Sequence, residues 1–431
     1  MTEAPRAARH DPLAAIRQRN FALYAVSRFC SAAAMTLLQA AIAWQVYRIS
    51  GSALQLGVLG LVRFGPSFAV TLIGGAVADR YDRKRIVLLS QLAPLLCSLI
   101  LVVATRGGSA TLPLIYALVL VIALASAFEN PARLSLIPAV VTKETFQNAI
   151  TFNTTAQSLA FVTGPALAGL AIAATSVTGA YVLNAVFVSI SLIALVLMHP
   201  RPIDGPRRAV SIAAIKEGVA FVWHRQALLG CMTLDMFAVI FGGASALLPI
   251  YATNILHAGP RGYGVLAASL DGGALLTSIA LVMTPQVQRT GRALLWAIGV
   301  FGVATIVFGL SRSFPLSVAA YMLVGMADQV SVVMRHTTVQ LATPDELRGR
   351  VNSVNMLFVG SSNQLGAVES GFVAALASAT ISVVSGGIGC LAVLAAVGAK
   401  LPELRAYRVD GGHLRRTESA EDVAVATVSG P

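Results

Sequence analysis

Ser191-Leu192-Ile193-Ala194-Leu195-Val196-Leu197-Met198-His199 closes one apolar run, and Pro200-Arg201-Pro202-Ile203-Asp204-Gly205-Pro206-Arg207-Arg208 follows it at once. The run occupies residues 177–199 and holds no Asp, Glu, Lys or Arg. As a helix it is long enough to cross a hydrocarbon layer of about 30 Å. The second stretch is basic and hostile to helix, with three prolines and a glycine. Together they set the architecture: spanning helices, interrupted near the middle of the chain.

Working outward from the break, further apolar runs predict helices at 20–47, 54–78, 86–105, 112–137, 149–174 and 177–199. Beyond it they predict 226–255, 262–284, 293–311, 315–340, 351–375 and 378–399. Of the 431 residues 56% are hydrophobic and only 12% charged, with a mean hydropathy of +0.76. Soluble domains carry about 25% charged residues, so this chain cannot cover a water-facing surface. The apolar residues run on instead of alternating, which excludes an outer-membrane barrel. Helix is then required, because backbone groups in lipid must be satisfied within the segment. The expected fold is an all-α membrane protein with twelve transmembrane helices in two pseudo-symmetric six-helix bundles.

The organisation reads as a cytoplasmic segment 1–19, a first bundle 20–199, a cytoplasmic linker 200–225, a second bundle 226–399, and a disordered tail 400–431. In the linker, Ile212, Ile215, Val219 and Val222 form one apolar stripe, suiting a helix on the membrane surface, with Trp223 at headgroup level. The first apolar run is too long for a signal peptide and reads as a retained first helix.

The net charge of +12 would suggest nucleic acid in a soluble protein. Here the basic residues cluster in the loops of one side, among them Arg80, Arg83, Lys84, Arg85, Arg207, Arg208, Arg289 and Arg292. The opposite loops hold only Arg48, Arg106, Arg261 and Arg312. These charges set topology: both termini are expected in the cytoplasm, in a bacterial inner membrane, with no nucleic-acid partner. Cys30, Cys97, Cys231 and Cys390 lie apart in apolar runs, without metal spacing, and read as small buried hydrophobes.

The two halves echo each other. Arg80-Tyr81-Asp82-Arg83 after helix 2 returns as Arg289-Thr290-Gly291-Arg292 after helix 8. Gly164-Pro165-Ala166-Leu167-Ala168-Gly169 in helix 5 returns as Gly366-Ala367-Val368-Glu369-Ser370-Gly371 in helix 11, and Arg133 returns as Arg335. Such a repeat suits a transporter with a central site.

Gly75-Ala76-Val77-Ala78-Asp79-Arg80-Tyr81-Asp82-Arg83-Lys84-Arg85 resembles the helix 2–3 loop signature of the major facilitator superfamily, G-x-x-x-D-R-x-G-R-[KR]-[KR]. Asp82 stands where the pattern has Gly, and Asp tolerates a left-handed backbone. The resemblance implies a cytoplasmic gate of Gly75, Asp79, Arg80, Arg83, Glu129, Arg133 and Arg335. In it Asp79 faces a helix N-terminus of the other half and Arg83 pairs with Glu129 near the inner end of helix 4. The segment from Ala160 to Gly169 resembles the helix 5 motif of the superfamily's exporters, g-x-x-x-G-P-x-x-G-G, with two positions Ala instead of Gly. Pro165 removes a backbone donor and bends the helix, and Gly164 and Gly169 permit close packing; the segment is either a kinked packing surface or a mark of export. The stretches Pro344–Asn355, Gly360–Gly371 and Asn130–Arg133 resemble the branch of enterobactin (siderophore) exporters and macrolide-type efflux proteins. The resemblance covers residues 17–400.

Ionisable residues inside spanning helices are costly and point to function. The first half supplies Arg28 and Arg63; the second supplies Asp235, Asp271, Asp328 and Glu369. Two arrangements satisfy them. They line a shared cavity, with the acids carrying protons and the arginines holding an anionic or polar substrate, or the arginines pair with acids across the halves. Asp328, nearest mid-helix, ranks first as proton carrier and Glu369 second.

The expected function is a proton-coupled exporter of a small amphipathic molecule, such as a siderophore or drug. It needs no cofactor beyond the proton gradient, and its partners are the substrate and the bilayer around a monomer. An importer or symporter on the same scaffold, or a non-transporting membrane sensor, are the alternatives. The sequence holds no G-x-x-x-x-G-K-[ST] loop for ATP, and no nucleophile–base pair or metal cluster that would indicate an enzyme.

Overall fold

The computed structural model describes residues 14–65, 82–142, 144–201, 219–223, 225–285, 287–344 and 347–400. Gly75, Asp79 and Arg80, most of the linker and the tail lie outside these residues. The described residues form helices and connecting turns, without strands.

In the first half these are α1 (Arg19–Ser50), α2 (Ala53–Gly65 in its described part), α3 (Arg83–Arg106), α4 (Leu112–Leu134), α5 (Phe146–Ala174) and α6 (Val177–Leu197). The second half holds α7 (Gln226–Phe241), α8 (Gly259–Met283), α9 (Thr290–Leu310), α10 (Phe314–Ala342), α11 (Arg348–Leu376) and α12 (Ala379–Lys400). Ten described segments are long and apolar enough to cross a membrane, that of α7 running on to Ile255. With α2, seen over its first part, and α11, long but rich in Asn, Ser and Gly, the count reaches the twelve helices expected.

Packing repeats between the halves. α1 packs on α5 and α6 as α7 packs on α11 and α12, while α3 meets α4 and α6 as α9 meets α10 and α12. Large apolar side chains such as Val103, Val282 and Trp296 point outward and are at least 72% exposed. An outer face of this kind fits lipid and would be a liability in water. All four cysteines are buried free thiols. Trp223, 69% exposed, suits a headgroup position, while Val222 of the same stripe is buried.

Two expectations about the backbone change. Helix 7 is not continuous over 226–255: α7 stops at Phe241, and Gly242-Gly243 leads into a 3₁₀ turn (Ala244–Leu247), a short α segment (Leu248–Ile250) and a π turn (Tyr251–Ile255). The cause is close packing on α11. A Cβ on Gly243 would sit 2.5 Å from the Gly366 carbonyl oxygen, and one on Gly366 would sit 2.7 Å from that of Val239. Asp82, for its part, is not left-handed. At φ −60°, ψ 118° it is the N-cap of α3, its carboxylate accepting from the Lys84 N–H at 2.8 Å and the Arg85 N–H at 3.3 Å. A side-chain acceptor at that position satisfies amides that have no partner within the helix, so α3 starts three residues earlier than the apolar pattern indicates.

The halves meet towards the end of the bundle remote from Arg19 and Lys400. Gly169 of α5 crosses Gly264 of α8, where a Cβ on Gly169 would lie 2.5 Å from the Gly264 Cα. Gly57 of α2 crosses Gly371 of α11 in the same way, and Gly60 lies against Ala367. Tyr263 of α8 donates to the Ala40 carbonyl of α1 at 3.0 Å, and Asn254 donates to the Tyr47 hydroxyl at 2.7 Å. Three helical turns from Gly371 on the same face of α11, Gly360 would meet no described atom within 4 Å; neither would Gly272 of α8. Among the described residues these crossings join the halves at the remote end.

Candidate functional site

In the first half a polar cluster forms where α1, α3, α4 and α6 converge. α4 places Glu129 and Arg133 one turn apart on one face. Arg133, 1% exposed, gives two hydrogen bonds to Glu129 Oε1, from Nε at 3.0 Å and Nη2 at 2.8 Å. Ser31 of α1 and Gln91 of α3 each donate to the same oxygen at 3.0 Å. Arg133 Nη1 donates to Ser27 at 3.0 Å, Ser27 pairs with Ser191 of α6, and Ser191 donates to Gln91 at 2.9 Å. Tyr24 donates to the Arg133 carbonyl and to Asn153 of α5. A buried guanidinium is tolerable only with its charge and donors met in this way.

Beside this cluster opens a cavity of about 230 Å³, lined by α1, α3, α4, α5 and α6. Arg28, Gln91, Glu129 and Gln157 face it, with Met35 and Phe161 as apolar wall. Arg28 is 8% exposed and donates to Gln157 Oε1 at 2.5 Å. Its Nε, also buried, has no hydrogen-bond partner.

The second half has its own centre. Asp235 of α7 and Arg335 of α10 form an ion pair at 3.2 Å, both at most 6% exposed. Ser331 donates to Asp235, and Arg335 Nη1 donates to Asn355 of α11. Asp328, midway along α10 and half-buried, lies within electrostatic reach of Asp235, Asp271 and Arg335. α8 and α10 can approach closely there because Gly273 and Gly325 offer no Cβ. Glu369, close to the Gly57–Gly371 crossing, accepts from Ser370 at 3.3 Å. Arg63 of α2 lies within electrostatic reach of Tyr263 of α8.

The ion pair expected between Arg83 and Glu129 is not formed. Arg83 Nη1 donates instead to the Ser135 carbonyl at 3.0 Å, at the C-terminal end of α4. Glu129 faces Arg133, which sits on its own helix and needs no loop to reach it. Nor does Arg28 meet an acid of the other half; its partner is Gln157 of its own. Asp235 and Asp271 both lie within electrostatic reach of Asp328, while Glu369 stands at the remote end. Gln91, Gln157, Ser27 and Ser191 carry no charge, so the ionisable residues of the sequence do not point to them. An amide or hydroxyl inside an apolar run is the signal that would have found them.

Residues 10–431 match the profile of a family described as transmembrane secretion effectors. The chain is 26% identical over 384 residues to the enterobactin exporter EntS of Escherichia coli O1:K1 / APEC, covering 89% of this chain and 92% of the relative. The same identity and coverage hold for EntS of Escherichia coli O6:K15:H31 (strain 536 / UPEC). Among solved structures, a POT family transporter in complex with 5-aminolevulinic acid superposes with a TM-score of 0.69 at 12% identity, over 90% of this chain and 97% of that one. A bacterial homolog to the human lysosomal transporter Spinster, inward-facing and unoccupied, gives 0.62 at 15% identity, over 93% and 97%. These structures share the fold. Twelve helices in two matched sets, buried charges on both, and a family match over nearly the whole length lead to one assignment: the chain belongs to the transmembrane secretion effector family, membrane transporters of the major facilitator superfamily.

Proposed function

We propose that this transporter is a proton-coupled exporter that moves a small molecule of the siderophore or drug class out of the cytoplasm by antiport. One observation carries the reading: glycine crossings and hydrogen bonds join the halves at the remote end, and buried charges lie between that junction and the termini. With the basic loops in the cytoplasm, this junction closes the outer side, and a substrate loaded from the cytoplasm leaves when it opens. The siderophore class is supported by the likeness to the enterobactin exporters over nine-tenths of the chain. The membrane is a bacterial inner membrane, both termini are cytoplasmic, and the working unit is a monomer.

In this scheme Asp328 carries the proton. It is half-buried at mid-membrane and near Asp235, whose charge Arg335 already holds. A carboxyl group that can lose and regain a proton beside a fixed ion pair can bias the two states of the bundle. Glu369, Asp271 and Asp235 follow in that order, and Arg28 and Arg63 face the substrate.

The test is reconstitution into vesicles with an imposed pH gradient and enterobactin as the first substrate. Transport should run against the proton flow, and Asp328→Asn should lose the response to the gradient while keeping substrate binding within about threefold. A full response in that variant removes Asp328 from the role. Substrate movement in the direction of the protons makes the protein a symporter.

A further inference from the structure

The first-half cavity holds one more positive charge than its surroundings neutralise. Among the described residues Arg28 and Arg133 are the cations near it and Glu129 is the anion. Glu129 is committed to Arg133 through two hydrogen bonds and receives two more from Ser31 and Gln91. Gln157 gives Arg28 a neutral acceptor and no countercharge. Arg28 is thus a buried cation that lines an open space, and its buried Nε has no hydrogen-bond partner. An uncompensated charge in the interior is strongly unfavourable, and a guanidinium presents a planar fork that matches an oxyanion.

The space also has a shape. Pockets for whole drug-sized ligands run about 300–1,000 Å³; at about 230 Å³ this one admits a single ring with its substituents. Phe161, Met35, Pro94 and Val188 supply flat or apolar wall, and the polar groups gather around Arg28.

We propose that this cavity is an anion-selective subsite that takes a carboxylate, or another oxyanion, carried on a small aromatic ring, as one arm of the substrate. Arg28 provides the charge, giving up its bond to Gln157 for the ligand, and Phe161 packs on the ring. Cationic rings are rejected, because Arg28 repels them and Glu129 has no free charge to offer. The inference rests on the transporter reading only in naming this arm part of the substrate. Binding to the cavity is independent of direction and of coupling.

The probes are benzoate, benzamide and benzylamine, which share a ring and differ in charge. Binding of each to the purified full chain is measured by titration calorimetry in detergent, with no gradient. Benzoate should bind about tenfold or more tightly than the other two. Arg28→Gln should erase that preference, and Arg28→Lys should retain part of it. Equal affinities, no benzoate binding, or an undiminished preference in Arg28→Gln overturns the proposal. If Arg28→Gln does not fold, the wild-type ranking and the Arg28→Lys response decide. A protein that ranks the probes as expected and yet fails to export keeps this subsite and loses the exporter reading.

Discussion

Arg133 and Arg335 occupy the same register of their halves, 202 residues apart, yet their countercharges come from different helices. Arg133 takes Glu129 from its own helix, one turn back. At the matching position of α10 stands Ser331, and the acid has moved to α7 as Asp235. On α1, Ser27 stands against Arg133 where Asp235 stands against Arg335. Asn153 and Asn355, again 202 residues apart, close both clusters from α5 and α11. The repeat has kept the geometry and exchanged acid for serine between two places. The exchange has two consequences. In the second half the ion pair ties α7, the broken helix, to α10; in the first half the corresponding tie is a hydrogen bond from Arg133 to an uncharged hydroxyl. The first half also keeps surplus positive charge, from Arg28, and the second keeps surplus negative charge, from Asp271 and Asp328.

The strongest way to break this comparison is to remove each acid in turn. Glu129→Gln leaves Arg133 and Arg28 without an anion near them, and should cost about 3–5 kcal/mol of stability. Asp235→Asn leaves Arg335 with Asp328 within electrostatic reach, and should cost less, about 1–3 kcal/mol. Thermal unfolding of the purified variants measures both. Equal losses, or the reverse order, would show that the surplus charges do not act on the pairs. The comparison sharpens if Asp235→Ser combined with Ser331→Glu, which rebuilds the first-half arrangement in the second half, recovers part of the single-variant loss, with a coupling of about 0.5–3 kcal/mol.

The sequence carried the frame of this site better than its pairings. Apolar runs locate helices because lipid leaves the backbone no other option, and apart from the early stop of α7 the described ends fall within about a turn of those read. Arg133 and Arg335 were legible as an echo, since a fixed offset needs no geometry. The partners were not. Arg83 and Glu129 are joined by a motif pattern, whereas distance favours an acid one turn away on the same helix. The break in α7 was hidden because Gly242-Gly243 is tolerated in an apolar run, and what makes it a break is the backbone of α11, over a hundred residues later. The charge surplus at Arg28 depends on who already holds Glu129, which only the folded cluster tells.

A smaller effect should follow from the junction between the halves, where the two sides are alike. Gly169–Gly264 and Gly57–Gly371 are counterparts, and both exclude a side chain. Gly169→Ala and Gly371→Ala should each disfavour the closed remote end by about 1–3 kcal/mol, a shift of about 5- to 150-fold between the two states. Distances between spin labels across the remote end should lengthen in both variants and stay unchanged in Gly360→Ala, where a Cβ meets no described atom. A change from one glycine and not its counterpart would mean that a single crossing holds the junction.

The smallest effect is expected where the halves cap their sixth helices differently. α12 carries Lys400 in its own last turn. The last turn of α6 has no basic residue, and the cation comes from α3: Lys84 Nζ donates to the Val196 and Met198 carbonyls at 3.1 and 2.7 Å. A positive charge at a helix C-terminus is worth about 0.3–1 kcal/mol. Lys84→Gln should therefore lower the melting temperature by a few degrees at most, Lys84→Arg should restore it, and the difference should shrink in high salt, as expected for a charge near the surface. A loss that salt does not reduce would mean that Lys84 acts through its hydrogen bonds, pinning α3 to α6, so that the lysine that looked like a marker of topology is also a structural tie of the first half.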